Sequence, residues 1–186
     1  MATGSNTVAA VSTTKGVAGG YFYSAPSTAT VPTDIATALP ADFVNLGFIS
    51  EDGVTENIET DSESMVDMNG DTVYTSSSSR TETITATLIE VKEAALKEIY
   101  GQDMVTTSTD LITVKHGSHT SPERIYVLEL VLRDGRRWRQ VAPAGQVTEV
   151  GELALAAGEL AGREITITCN VDANGVSVYD YIEAVA

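Results

Sequence analysis

DFVNLGFISEDGVTENIETDSESMVDMNGDTVYTSSSSRTETITATLIEVKEAALKEIYG, residues 42 to 101, is the stretch whose reading decides the fold. It runs from a short apolar strand through Asp52-Gly53 into a long acidic segment. Asn69-Gly70 follows, then a Ser/Thr-rich strand and one short helix. Ile84, Ala86 and Leu88 fall on one side of that strand and Thr81, Thr83 and Thr85 on the other, the period of two of a half-buried strand. Thr87 and Glu90 have the spacing of a capping box, and Val91, Ala95 and Ile99 form a stripe. Glu93 and Lys97 pair at i, i+4, and Gly101 supplies a stop, so a helix is predicted over 88–100.

Working outward, the turn chemistry recurs at Asp134-Gly135 and Asn174-Gly175. Each such dipeptide supplies the positive φ of a tight hairpin, and four in one chain predict an antiparallel, hairpin-built β protein. Ile165, Ile167, Cys169 and Val171 alternate with Glu164, Thr166, Thr168 and Asn170. Ile125 to Leu132 is apolar on both faces, which predicts a central strand covered on both sides. Residues 1 to 40 are rich in Ala, Thr, Ser and Gly, with Tyr21-Phe22-Tyr23 as the heart of one strand, and read as an arm with little core of its own.

The formal net charge is -15. That excludes a nucleic-acid binder working through phosphate contacts, though not a surface past which DNA slides. Charge is unevenly spread. Glu51, Asp52, Glu56, Glu59, Asp61, Glu63, Asp67 and Asp71 make an acidic stretch without a basic residue. Arg133, Arg136, Arg137 and Arg139 make a basic block. The two are read as complementary subunit surfaces, since charges steer and register an interface. So acidic a stretch cannot bury enough surface to offset its ordering entropy, which predicts a loop over 51–71 that is mobile in the free subunit.

Catalytic and metal chemistry find little support. His116 and His119 lack the further ligands that zinc requires. Asp67 to Asp71 and Asp172 to Gly175 resemble calcium loops only faintly and are explained by turn propensity. Neither a nucleophile elbow nor a phosphate-binding or dinucleotide glycine loop occurs. The lone Cys169 forms no intrachain disulfide and reads as a buried, inert thiol. The N-terminus has neither the basic nor the apolar region of a secretory signal, and no apolar run is long enough for a membrane span.

In order and wording, GFISEDGVTE, NGDTV and TLIEVKEAALKEIYG resemble the major tail tube protein of long-tailed, non-contractile bacteriophages, in versions from phages of actinobacteria. The resemblance implies a β-sandwich or barrel with one flanking helix and long arms. It implies a non-enzymatic virion protein, without a cofactor, made in the host cytoplasm. Six-fold rings would stack into a tube that conducts DNA, with a tape measure protein and a tail terminator as further partners and no membrane. On this reading residues 1–40 are an N-terminal arm with the first strand, and 41–186 the tube domain. The basic and acidic blocks are subunit contacts. Thr81, Thr83 and Thr85, or Glu164, Thr166, Thr168 and Asn170, are candidates to line the lumen. The rival is a monomeric or capsid-decorating β-sandwich that binds carbohydrate or protein.

Overall fold

The computed structural model describes residues 8–185; the first seven residues of the predicted arm lie outside them. The strands are β1 (Thr14–Gly16), β2 (Phe22–Pro26), β3 (Val44–Asn45), β4 (Ile49–Val66), β5 (Thr72–Leu88), β6 (Val105–Thr107), β7 (Ile112–Val114), β8 (Arg124–Leu132), β9 (Arg137–Val150), β10 (Arg163–Asn170) and β11 (Tyr179–Ile182). One α-helix, α1 (Glu93–Tyr100), follows β5. The main sheet runs β3-β2-β8-β9-β10-β5-β4, with β1 beside β8 and β11 beside β9, and every pairing is antiparallel. β6 and β7 form a separate ribbon.

The sheet must roll. β3 and β4 occupy its opposite edges, yet only residues 46–48 separate them in the chain. That link spans at most about 3.6 Å per residue, so the two edges meet. The seam is stitched by the Ile49 N–H, which donates to the Tyr21 hydroxyl at 2.7 Å, and by the Leu46 N–H, which donates to the Phe22 carbonyl at 2.8 Å. Inside the roll lie Phe22, Leu46, Ile84, Leu88, Tyr126, Ile165 and Ile167, with Ala95 and Ile99 of α1 closing the core. The architecture is the predicted mainly β one, a sheet curled towards a barrel with one flanking helix.

β8 accounts for its apolar run by serving two cores. Tyr126 and Leu128 point into the roll, while Ile125 and Val127 join Ala25, Phe43 and Val141 in a second, outer cluster. Ala29, Val31 and Leu39 pack over that outer cluster. The N-terminal region therefore carries more core than its composition announced, because β2 pairs along β8 and buries both Phe22 and Ala25.

Three local expectations are corrected. The acidic stretch 51–71 is not a loop: residues 51–66 belong to β4, paired with β5 in a long hairpin whose distal two-thirds is almost entirely exposed, and only 67–71 form its turn. Its backbone groups are satisfied across the ladder, so the strand needs no apolar side chains to persist. Gly53 does not turn a hairpin. From Ile49 to Val54 β4 takes five steps while β5 takes two, and Gly53, with φ of 76°, sits in that bulge. The capping box does not form either. Thr87 and Leu88 are committed to ladder pairs with Glu164 and Arg163, so the helix starts at Glu93 rather than 88 and leaves Val91 exposed. Glu90 instead accepts from the Phe48 N–H at 3.2 Å. The Glu93–Lys97 pair closes at 2.6 Å, and Gly101 ends the helix with a positive φ as expected.

Candidate assembly surfaces

The two threonine faces read separately in the sequence are one surface. β10 lies beside β5 so that Thr166 faces Thr85 and Thr168 faces Thr83. The row continues onto β4, where Thr55 and Asn57 face Thr85 and Thr83. It continues onto β9, where the Thr148 hydroxyl lies 2.9 Å from that of Thr168. Glu164 stands opposite Thr87, and Glu149 opposite Thr166, so the wall includes carboxylates. Thr81 faces Glu59 further out, and Asn170 ends the β10 row beside Ala144. The reverse side of β5 and β10 carries the buried Ile84, Ala86, Ile165, Ile167 and Cys169. Val171, past the end of β10, is exposed and falls out of the predicted alternation.

This four-stranded wall, β9-β10-β5-β4, has an open edge on each side. β4 pairs from Val54 to Val66 with β5 alone. At the other side β8 pairs with β9 only as far as Gly145, so Gln146 to Val150 hydrogen-bond to β10 and to no strand opposite, among the described residues.

Beyond the wall, β4 and β5 project as an arm. The distal run 57–66 alone extends about 30 Å at roughly 3.4 Å per residue. Glu59, Asp61 and Glu63 lie on one side of it, opposite Thr81, Ser79 and Ser76. Asp67 is spent locally. Its carboxylate accepts from the Asp71 and Asn69 N–H groups at 2.9 and 2.8 Å, which holds it below the usual carboxylate range. Asp172 behaves alike, accepting foremost from the Val176 N–H, so both calcium-like segments are self-satisfied turns. Glu51 and Asp52 lie in the bulge at the arm's base. The arm's tip also carries apolar side chains, with Met65, Val66, Met68, Val73 and Tyr74 all exposed.

The basic block does not act as one. Arg139 is 4% exposed, bound to Glu129 at 2.6 Å and donating to the carbonyls of Asp34 and Thr37, so it cannot reach another subunit and the expectation of a contact there is wrong. Its position facing the outer cluster, where the 30s segment folds over β9, is what buries it. Arg136 is held by Asp134 at 2.6 Å and by the Glu183 carbonyl at 2.9 Å. Arg137 pairs with Glu183 at 2.8 Å but stays 46% exposed. Arg133 is exposed and has no ion pair among the described residues. A fifth cation was missed. Lys15 lies beside Val131, which also faces Arg137, so β1, β8 and β9 bring Lys15 and Arg137 to the same side.

At the arm's root lies a polar cluster that no motif or spacing in the sequence announces. The Gln140 side chain donates to Glu56 at 2.6 Å and to Asp180 at 3.3 Å, and the Trp138 indole donates to Asp180 at 2.6 Å. Beside them the buried Glu82 accepts from Arg80 at 2.9 Å and from the Ser177 hydroxyl. A second buried network fixes α1: Glu98 accepts from Ser24 and Tyr126, both at 2.8 Å, and pairs with Arg124 at 2.9 Å. The two histidines are packing groups, His116 tilted on Tyr100 at 4.6 Å and His119 over Gly101.

No helix among the described residues is long and apolar enough to cross a membrane. No curated protein matches the chain. Among solved structures it is similar to the tube-terminating cap of the anti-feeding prophage, with 14% identity over 91% of this chain and 93% of that one and a TM-score of 0.44. It is also similar to a chain of the PVC sheath–tube complex, an extracellular contractile injection system in its extended state. There the identity is 12% over 90% of this chain and 92% of that one, and the TM-score again 0.44. The assignment rests instead on the family match, which covers residues 8–185, essentially all that the fold describes. The chain belongs to the phage tail tube protein family, and is a structural, non-enzymatic component of the virion tail.

Proposed function

We propose that this protein assembles into rings, six-fold by resemblance, that stack into the DNA-conducting tube of a long-tailed, non-contractile phage. Synthesis in the host cytoplasm, and contacts with a tape measure protein and a terminator at the tube's ends, belong to the same reading. The observation that carries it is the pair of open edges on the threonine wall. Alternation along β9-β10-β5-β4 leaves β4 antiparallel to β9. A copy related by rotation therefore presents its Gln146–Val150 edge to β4 in the right sense for antiparallel pairing. Repeating that contact abolishes every edge of the wall, as barrel closure does.

In such a ring the threonine face lines the bore. Thr55, Asn57, Thr83, Thr85, Gln146, Thr148, Glu149, Thr166 and Thr168 include no Lys or Arg that would hold phosphate. Carboxylates act over a Debye length of roughly 8–10 Å, enough to keep DNA from adhering in a narrow channel. The arm, residues 51–71 with the facing part of β5, reaches another subunit, its free carboxylates meeting Arg133 and Arg137 there. The described part of the N-terminal region, whose β1 and β2 belong to the sheet, adds a further subunit contact through the residues ahead of β1.

Cysteine cross-linking tests the ring. One cysteine on β4 (Thr55→Cys or Asn57→Cys) is combined with one on β9 (Gln146→Cys or Thr148→Cys) in a single chain. Oxidation of assembled protein should give a ladder of covalent oligomers ending at the ring number. Absence of cross-links in all four combinations, from material that microscopy shows to be assembled, contradicts the edge contact.

A further inference from the structure

We infer that the ring contact has a single register, in which Ile58 of β4 lies opposite Val147 on β9 of the next copy and acts as the key of that edge. This rests on the edge contact proposed above and adds which residues meet across it. Ile58 pairs with Glu82, which puts it on the same side of β4 as Val54 and Glu56, whose partners Ala86 and Ile84 are buried in the core. It is the one large apolar side chain between Val54 and Met65, and it is 51% exposed. On the open edge of β9, Val147 faces the buried Ile167, and Val150, 39% exposed, faces the buried Ile165. Each edge thus leaves apolar surface uncovered on the side away from the bore, and edge pairing brings the two together.

Alternation limits the choice. A slip of one residue would turn Ile58 to the bore, and Thr55 and Asn57 to the core. Three registers keep the faces. With Ile58 opposite Val150, Glu59 meets Glu149, and like charges directly opposite destabilise a pair. With Ile58 opposite Gly145, β4 would need a backbone position that Arg124 of β8 already fills. With Ile58 opposite Val147, Glu59 meets Gln146 and Asn57 meets Glu149, Thr148 being the extra residue of β9 as it is against β10.

In that third register each bore-side carboxylate faces an amide, and an amide has two hydrogens to give. Gln146 gives one to the Ser121 carbonyl at 2.7 Å, which leaves the other for Glu59. Asn57 gives one to Glu59 of its own strand at 3.0 Å, which leaves the other for Glu149. On the core side Glu56 comes opposite Val150 and keeps its bond from Gln140 of its own subunit at 2.6 Å. Ile58 then covers Val147 directly and Val150 diagonally.

Disulfide trapping in assembled full-length protein reads the register. Three chains are compared: Glu59→Cys with Gln146→Cys, Glu59→Cys with Glu149→Cys, and Asn57→Cys with Gln146→Cys. The first should link neighbouring subunits several-fold faster than the other two. A faster link in either of the others, or equal rates in all three, overturns the register while leaving the ring contact standing. No link in any of them, in material that microscopy shows to be assembled, contradicts the ring contact itself and the register with it. Ile58→Thr, still β-branched, should leave unfolding of the free subunit unchanged but raise the concentration needed for assembly several-fold. An unchanged threshold overturns the role of Ile58.

Discussion

Thr85 and Thr166 stand opposite one another on neighbouring strands, their hydroxyls 3.5 Å apart, although 81 positions separate them in the chain. That one register joins two short polar rows into a wall four strands wide, backed by the apolar core. If the wall is the bore, its chemistry is what passing DNA meets. Thr83→Lys with Thr166→Lys should leave tubes intact, since both sites are solvent-accessible, but should slow DNA ejection from phage by adding phosphate contacts around every ring. Ejection at the wild-type rate contradicts the lumen assignment.

The two sides of β10 should differ sharply in energetics. Ile167 is fully buried in the inner core. Ile167→Ala should cost about 2–5 kcal/mol by denaturant unfolding, the lost transfer energy plus the cavity. Thr168→Ala, next along the strand but on the polar face, should stay within about 0.5 kcal/mol.

The arginines should separate in the same way. Arg139→Ala strands the Glu129 carboxylate and removes the donor to the Asp34 and Thr37 carbonyls, and should destabilise the subunit by about 3 kcal/mol. Arg133→Glu with Lys15→Glu should leave unfolding nearly unchanged yet slow assembly, most strongly at low salt. Assembly kinetics identical to wild type count against the basic patch as a subunit contact.

Cys169 should be silent in the native state. Burial, reinforced by the charges of Glu82 and Glu56, pushes its thiol up to about 12. Alkylation at neutral pH should be slow in folded protein and fast in denaturant, because the thiolate is the reactive form. Rapid modification of the folded subunit contradicts the burial.

Acid should loosen the end of β11. Glu183 is held below the usual carboxylate range by the Arg137 backbone N–H first, and by its side chain. A depressed carboxylate gives stability that is complete above its ordinary pKa and is lost as pH falls through the depressed one. Amide exchange near residue 183, corrected for the intrinsic rate, should rise on acidification, and Glu183→Gln should remove most of that pH dependence.

The strands that bury one face were legible because period two survives in the sequence at Ile84-Ala86-Leu88 and Ile165-Ile167-Cys169. β4 was not, because a strand exposed on both sides leaves no apolar period; its ladder partner is its reason for being extended. The signal that remained was Asn69-Gly70 itself, a hairpin turn between two long, mostly polar runs that carry no apolar period. Gly53 shows the limit of turn chemistry, since a bulge and a hairpin ask for the same positive φ. Arg139 and Lys15 show the limit of counting charge along the chain. What decided their roles was the 30s segment folding over β9 and β1 docking on β8, contacts more than a hundred residues apart in sequence.

The most direct test is a cryo-EM map of assembled tubes at a resolution that traces side chains. The account predicts β4 of each subunit hydrogen-bonded antiparallel to Gln146–Val150 of the next, with Thr83, Thr85, Thr166 and Thr168 facing the bore. A tube whose subunits meet through other edges, or whose threonine wall faces outward, contradicts it.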